Sequence, residues 1–123
     1  MSKKIEIKWL SAPEAHDYPA AVSYLSLLYA PRTATACVQK LKRAAVTEFK
    51  AKDIFRASGL ALLGIGNPHV AKDRQAIAAG RKLSPLLLVR NAAHGNVIIA
   101  DGYHRLCAVY SFDEDAVIPC KIV

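Results

Sequence analysis

Residues 97–112, VIIADGYHRLCAVYSF, change from a strand-like pattern to a helical one within a few positions. Val97–Ala100 is a short apolar run, which is typical of a buried strand. From Tyr103 to Phe112 the apolar side chains recur at the three- and four-residue spacing of a helix. Asp101 and Gly102 stand between the two patterns. The stretch therefore predicts a strand that turns at a glycine directly into a helix.

The segments on either side of this stretch predict further strands. Leu86–Val89 is a continuous apolar run, as expected of a strand covered on both faces. Pro85 fits only at the start of that strand or at an edge, because proline lacks an N–H donor. His94-Gly95 is a turn signal, so this strand and the next are expected to form a hairpin. The closing segment, Ala116–Val123, is rich in β-forming residues and completes a mixed sheet.

The first part of the chain predicts one strand followed mainly by helices. Alternation of apolar and polar residues over Ile5–Trp9 indicates a half-buried strand. Helices are predicted over Ala20–Tyr29, Arg32–Ala45 and His69–Ala79, with a strand over Thr47–Ala51 and a short helix capped by Asp53 and stopped by Gly59. No linker or internal repeat divides the sequence. We therefore expect one α+β domain over residues 1–123, a small mixed β-sheet packed with helices, with residues 1–45 as an additional N-terminal strand and helices.

Composition limits the class of protein. The chain has 123 residues, 53% hydrophobic and 22% charged, which is typical of a globular domain rather than a disordered one. The longest apolar stretch, Tyr18–Tyr29, is too short and too polar to span a bilayer. Glu6 and Lys8 interrupt what would otherwise resemble a secretion signal. We expect a cytoplasmic protein with no membrane partner, whose three cysteines are reduced and buried.

The net charge of +7 predicts attraction to polyanions, nucleotides or acidic surfaces. The basic residues form two loose clusters: Lys40, Lys42, Arg43, Lys50, Lys52 and Arg56 in one, and Lys72, Arg74, Arg81 and Lys82 in the other. Each cluster is explained either by a solvated helix face or by a nucleic-acid contact. The sequence leaves both interpretations open.

The turn at Gly102 carries the chemistry of an anion site. The first N–H groups of a helix have no internal partners and lie at the positive end of its dipole. Gly102 lacks a Cβ, so an oxyanion is expected to approach the backbone closely. Arg105 supplies a charged fork and His104 a further donor when protonated. The pattern predicts a phosphate site within one helical turn.

A purely structural explanation of the same residues also exists. In that interpretation Asp101 caps the helix, Gly102 satisfies a tight turn, and Arg105 forms an ion pair with Asp113 or Glu114. Acidic caps and turn glycines are common at helix starts, and most of those starts hold only water. The position of the Arg105 side chain distinguishes the two interpretations.

Several segments together resemble the ParB/sulfiredoxin superfamily over about residues 50–123. They are Ile99–Ala108 (IADGYHRLCA), Leu83–Val89 (LSPLLLV), Val117–Cys120 (VIPC) and Asn67-Pro68-His69, which is similar to the N-P box of ParB-like domains. That superfamily holds phosphate with a G-x-x-R turn. The resemblance implies phosphate contacts at Gly102, His104 and Arg105. It implies further pocket members at Asn67, His69, Lys82 and Ser84.

Departures from the family patterns narrow the expected activity. Sulfiredoxins carry their reactive cysteine inside the turn, where this chain has Tyr103, so sulfinic acid repair is not expected. ParB segregation proteins have a G-E-R-R turn followed by a helix-turn-helix domain, and this sequence has neither. Free serine kinases of the superfamily have D-G-H-H-R, which is more similar, but their catalytic glutamate has no counterpart near Asn67.

The resulting prediction is a nucleotide-binding domain that takes ATP or CTP with Mg²⁺, as an ATPase or phosphotransferase. Asp101 and His104 are the candidate catalytic groups, with Asp101 orienting the metal or acting as a base. Tyr103 is placed to stack on a nucleotide base. Alternatives from other classes are a basic DNA- or RNA-binding module, a ParB-like nuclease, and an interaction module without a ligand.

Two other kinds of chemistry receive less support from the sequence. His104 and Cys107 have metal-ligand spacing and could share a metal with His69 or His94, but structural zinc usually needs four clear ligands. Cys120 would need an accessible, polarised thiol to act as a nucleophile, and it lies in a predicted strand. We therefore expect no resident metal among the protein side chains.

Overall fold

A computed structural model describes residues 5–123 of the chain. The elements are β1 (Lys8–Trp9), α1 (Asp17–Leu25), α2 (Pro31–Arg43), β2 (Thr47–Lys50), α3 (Ala51–Ser58), α4 (Pro68–Ala78), β3 (Lys82–Leu83), β4 (Leu86–Asn91), β5 (Asn96–Asp101), α5 (Tyr103–Phe112) and β6 (Val117–Ile122). The expected α+β class is confirmed.

The main sheet has four strands in the order β2-β6-β4-β5. β6 runs antiparallel to β2 and parallel to β4, and β4 runs antiparallel to β5. The sheet is therefore mixed, as the sequence predicts, and β4 with β5 forms the predicted hairpin. Gly95 turns that hairpin with a φ of 67°.

Helices cover both faces of the main sheet, because successive residues of β4 and β5 point to opposite sides. Leu86 and Leu88 pack in one core cluster with residues of α3, α4 and α5. Leu87 and Val89 pack in a second cluster with residues of α1 and α2. The continuous apolar run of β4 is thus explained by burial on both faces.

The first strand is shorter than the sequence predicts. Only Lys8 and Trp9 pair, in parallel with β3, in a separate two-stranded sheet. The pairing ends after Leu10 donates its N–H to Leu83 O at 2.8 Å, because Pro85 two residues later has no N–H to continue a ladder. The strand β3 has no counterpart in the sequence-based prediction.

Asp53 does not cap α3, contrary to the prediction. The helix begins at Ala51, directly after β2, and its N-cap residue is Lys50 with no side-chain cap. The first amides instead bond to the segment before β6: Ala51 N–H donates to Ala116 O, and Lys52 N–H to Glu114 O, both at 2.9 Å. Tertiary contacts therefore replace the capping side chain.

Candidate functional site

A polar cleft of about 220 Å³ lies where β5 ends and α5 begins, against the first half of α4. Its lining consists of His69, Lys72, Asp73, Asp101, Gly102, Tyr103, His104 and Arg105. The structure therefore brings the whole predicted Asp101–Arg105 turn and His69 to one place.

Gly102 makes the turn in the left-handed region, with φ 107° and ψ 15°, and is the N-cap residue of α5. A Cβ on Gly102 would lie 2.7 Å from Leu86 Cγ and 2.9 Å from Arg105 Nη2. The space that a side chain would need is therefore filled by the protein itself. Glycine is required here for the turn and for packing, a reason the sequence-based argument for anion approach did not include.

The start of α5 offers backbone donors to the cleft. The first intrahelical bond runs from Leu106 N–H to Gly102 O at 2.9 Å. In a helix the N–H groups before that bond have no acceptor within the helix. These groups belong to Tyr103, His104 and Arg105, which all line the cleft. No side chain caps this helix, so Asp101 is not a cap, contrary to the structural alternative.

Arg105 is held at the cleft by acidic partners and is 18% exposed. Its Nη2 lies 3.0 Å from Asp101 Oδ2 and 4.0 Å from Asp17 Oδ2. It also donates to Pro85 O at 3.5 Å. The ion pair with Asp113 or Glu114 in the structural alternative is therefore wrong.

One donor of Arg105 is left over. Its Nε is buried and has no hydrogen-bond partner among the described residues. Burying a charged donor without a partner is costly, so Nε leaves the hydrogen bonding of this guanidinium incomplete, although Nη2 already bonds to Asp101 and Pro85. An anion close to the guanidinium would supply a further acceptor for it.

Asp17 ties the N-terminal region to this guanidinium, although sequence reasoning did not single it out. Its side chain is 4% exposed and accepts hydrogen bonds from Ser84 Oγ and, at 3.3 Å, from Glu14 N–H. His16 Nε2 lies 3.3 Å from its other oxygen. Asp17 therefore positions Arg105 from beneath the cleft. The sequence signal that marks Asp17 is weak, because a single acid before Tyr18-Pro19 is also a common helix start.

Both carboxyl groups in the cleft are shifted in the same direction. Burial raises the pKa of Asp101, and Arg105 opposes that shift. Burial also raises the pKa of Asp73, against the opposing positive charges of Arg105 and His104. A raised pKa means that each negative charge is poorly solvated, so the cleft favours a protonated carboxyl more than water does.

Two aromatic contacts shape the mouth of the cleft. The rings of His69 and His104 have centroids 4.8 Å apart, which brings α4 and α5 together there. The Tyr103 ring lies 5.7 Å from that of His104. Its hydroxyl donates to Ala61 O, which fixes the ring against the loop before α4. The Tyr103 ring is thus anchored through its hydroxyl at the mouth of the cleft.

Three of the residues implied by the family resemblance lie outside the lining of the cleft. Asn67 caps α4, where its Oδ1 accepts from His69 N–H at 2.9 Å and from Val70 N–H at 3.2 Å. Lys82 is exposed in β3, paired with β1. Ser84 is buried and bonded to Asp17. Asn67 and Ser84 support the site from behind, and Lys82 does not reach it.

Lys72 and Asp73 line the cleft, although the sequence-based prediction did not place them there. They follow His69 on α4 by three and four positions, so all three share one face of that helix. This spacing was the available signal. The spacing alone does not place these residues in the site, because the contact between α4 and the start of α5 is a tertiary one.

The residues considered for a metal site and for a thiol nucleophile are not arranged for either chemistry in the described part of the chain. Within residues 5–123 no three His, Cys, Asp or Glu side chains are grouped to hold a metal ion. Cys107 is fully buried in the core, and His94 lies at the distant β4–β5 turn. Burial raises the pKa of Cys120 to about 12, which is the opposite of what a thiolate nucleophile needs.

None of the described helices has the length and apolar character needed to cross a bilayer. Comparisons of the chain with protein-family models, with curated proteins and with solved structures found no match. The site is therefore interpreted from its own geometry.

Proposed function

We propose that this protein binds a phosphate-bearing ligand of the nucleotide class, with a phosphate group seated in the cleft at the start of α5. The observation that carries the proposal is the convergence of Lys72, His69, His104 and Arg105 with the free amides of α5 in one polar cleft. Helix N-termini with added basic side chains are suited to phosphate oxygens.

The size of the cleft indicates which part of the ligand enters it. Pockets that enclose a whole small ligand usually measure about 300–1,000 Å³. A cleft of about 220 Å³ suits a phosphate group rather than an entire nucleotide. The rest of the ligand would then lie outside, where the fixed Tyr103 ring offers a surface for a base.

ATP or CTP with Mg²⁺ is the proposed ligand. Mg²⁺ commonly binds through one or two carboxylates together with phosphate oxygens, and Asp73 and Asp101 are the carboxylates in this cleft. Bound Mg²⁺ would neutralise phosphate charge. If the protein is an ATPase or phosphotransferase, Asp101 and His104 are the groups near the phosphate that could accept or hold a proton. The ParB/sulfiredoxin resemblance of the turn is in keeping with this proposal.

Calorimetric titration of the protein with ATP or CTP, each with Mg²⁺, tests the proposal. Replacing the exposed Lys72 by Ala should weaken binding by about tenfold, since a charged hydrogen bond contributes roughly 1.5–3 kcal/mol. Arg105→Ala should weaken it further. The matched control is Arg90→Ala, an exposed arginine on β4 outside the cleft lining. Equal affinity of all three variants and the wild type would remove the proposal.

A salt titration of DNA binding by the wild-type protein distinguishes the nucleic-acid alternative from nucleotide binding. Counterion release makes DNA or RNA binding fall steeply as salt rises. The predicted basic cluster around α3 is partly neutralised, because Lys52 Nζ lies 2.6 Å from Asp115 Oδ1 and Arg56 pairs with Asp53 at 3.9 Å. We therefore expect weak binding to single- and double-stranded DNA. Tight, salt-sensitive DNA binding without nucleotide binding would instead favour the alternative.

A further inference from the structure

A second feature runs along β5 from its first residue, Asn96, which lies at the end of the strand opposite Asp101. β5 is the last strand of the four-stranded sheet, with β4 on one side only. Among residues 5–123, every backbone hydrogen bond of Val97–Ile99 runs to β4. In an antiparallel pair alternate residues turn their N–H and C=O groups away from the partner strand. The outward groups of β5 therefore have no backbone partner in the described part of the chain.

A groove of about 360 Å³ follows this edge. Val97, Ile98 and Ile99 all line it, although successive residues of a strand point to opposite faces of the sheet. Three consecutive residues share one groove only if that groove runs along the strand edge itself. The cavity is therefore placed against the unpaired backbone groups.

The walls of the groove come from opposite faces of the sheet. One wall is formed by Tyr24 of α1 together with Leu28 and Tyr29 of the turn that follows this helix. Ser58 and Leu60, at the end of α3, form the other. The exposed wall residues Tyr24, Leu28 and Leu60 are 40%, 50% and 42% accessible, so apolar surface faces solvent on both sides.

The recessed position of the edge selects its occupant. Val97, Ile98 and Ile99 are only 5–8% exposed, because the ends of α1 and α3 stand over them. A second copy of this chain would present an edge recessed in the same way, so two such edges cannot meet. A single extended segment is narrow enough to enter.

Asn96, at the start of β5, adds a polar requirement. Asn96 lines the groove, and its Oδ1 is buried and has no hydrogen-bond partner among the described residues. A buried acceptor without a donor is costly.

We propose that this groove binds an extended acidic peptide segment of a partner protein, which adds to the sheet as a strand beside β5. The peptide backbone pairs with the outward groups of β5, and its apolar side chains pack on Tyr24, Leu28 and Leu60. The groove lining itself holds no Lys, Arg, Asp or Glu, so the acidic character follows from the field of the whole chain, which has a net charge of +7. This site is separate from the proposed phosphate cleft and does not depend on it.

The free protein provides the first test, by amide hydrogen exchange followed with NMR. Alternate amides within Val97–Ile99 should exchange rapidly, while their neighbours that bond to β4 should be protected. Uniform protection across these residues would mean that the edge is already covered, and the proposal would be overturned.

Selection of peptides from a random display library provides the second test, with the wild-type protein as target. Selected sequences should alternate apolar residues and carry Asp or Glu. Leu28→Glu should weaken their binding by about tenfold or more, since it places a charge on the groove wall. The matched control is Leu27→Glu, which is 82% exposed, next in sequence and outside the lining.

Backbone methylation of a selected peptide separates strand addition from simple apolar binding. Methylating alternate amides removes donors and keeps every side chain, so strand addition predicts a loss of about tenfold or more in one of the two methylation registers. Unchanged affinity in both registers would overturn strand addition. A selection that yields no peptide sensitive to Leu28→Glu, or a wild-type dimer in sedimentation that this substitution dissociates, would overturn the proposed occupant.

Discussion

At the scale of single residues, Gly102 combines two demands that no other residue type meets. Its backbone lies at φ 107°, where L side chains are strained, and a Cβ would enter the space of Leu86 and Arg105. Since Leu86 is fully buried in the core, it has little room to move. The glycine therefore links the packing of β4 to the geometry of the cleft.

Gly102→Ala should lower the free energy of unfolding by about 2–4 kcal/mol, from a positive φ and an overpacked core together. Urea unfolding measures the loss. The control is Gly95→Ala, also at positive φ (67°) but with no atom within 4 Å of the added Cβ, where only the backbone cost of about 1–2 kcal/mol is expected. Equal losses at the two positions would show that the contact with Leu86 has no energetic weight.

Asp73 gives a pH-dependent prediction. Burial raises its pKa above the ordinary value, so the native state binds this proton more tightly than the unfolded state does. The charged form therefore opposes folding at neutral pH. This cost disappears as the pH falls through the raised pKa. Below the ordinary value of 3.8 the carboxyl is protonated in both the native and the unfolded state, and burial of its charge no longer destabilises the fold.

Asp73→Asn should accordingly unfold at higher urea concentration than the wild type at pH 7. The difference should shrink toward zero as the pH is lowered below 4. Urea titrations at several pH values measure it, with Asp53→Asn as the control at an exposed carboxylate that pairs with Arg56. A variant that is less stable than the wild type at neutral pH would show that the surrounding cations outweigh burial.

At the scale of elements, local patterns were sufficient for the strongest features. The hairpin of β4 and β5 and the helix over Tyr103–Phe112 follow from apolar periodicity and from Gly95 and Gly102 at positive φ. The turn residues of the cleft were predictable for the same reason. Each of these signals is contained within a few neighbouring residues.

The elements that sequence reasoning missed depend on distant partners. β3 consists of two residues and exists because Lys8 and Trp9 lie beside it, which no local pattern encodes. The start of α3 is fixed by the carbonyls of Ala116 and Glu114, more than sixty residues away. Lys72, Asp73 and Asp17 belong to the site only through the packing of α4 and α1, so their weak sequence signals were not sufficient to predict their roles.

At the scale of the whole molecule, the N-terminal helices α1 and α2 form part of the hydrophobic core. The second core cluster joins Leu25 of α1 and Leu41 of α2 to Leu87 and Val89 of β4, all buried. Asp17 of α1 additionally reaches Arg105. Since both faces of β4 need cover, we expect α1 and α2 to unfold together with the rest of the described chain.

Leu25→Ala tests this cooperativity through Trp9, the only tryptophan, which packs against the first core cluster. Leu25 is fully buried in the second cluster, beyond the sheet, so its truncation should cost about 2–5 kcal/mol. If the molecule unfolds as one unit, Trp9 fluorescence should report a urea midpoint lower by roughly 1 M or more, coincident with the far-UV circular dichroism transition. Leu106→Ala, in the same cluster as Trp9, is the control and should shift the midpoint similarly. A Trp9 transition that moves for Leu106→Ala but not for Leu25→Ala would mean that the two faces of the sheet unfold independently, and that the link from Asp17 to Arg105 joins two separate units.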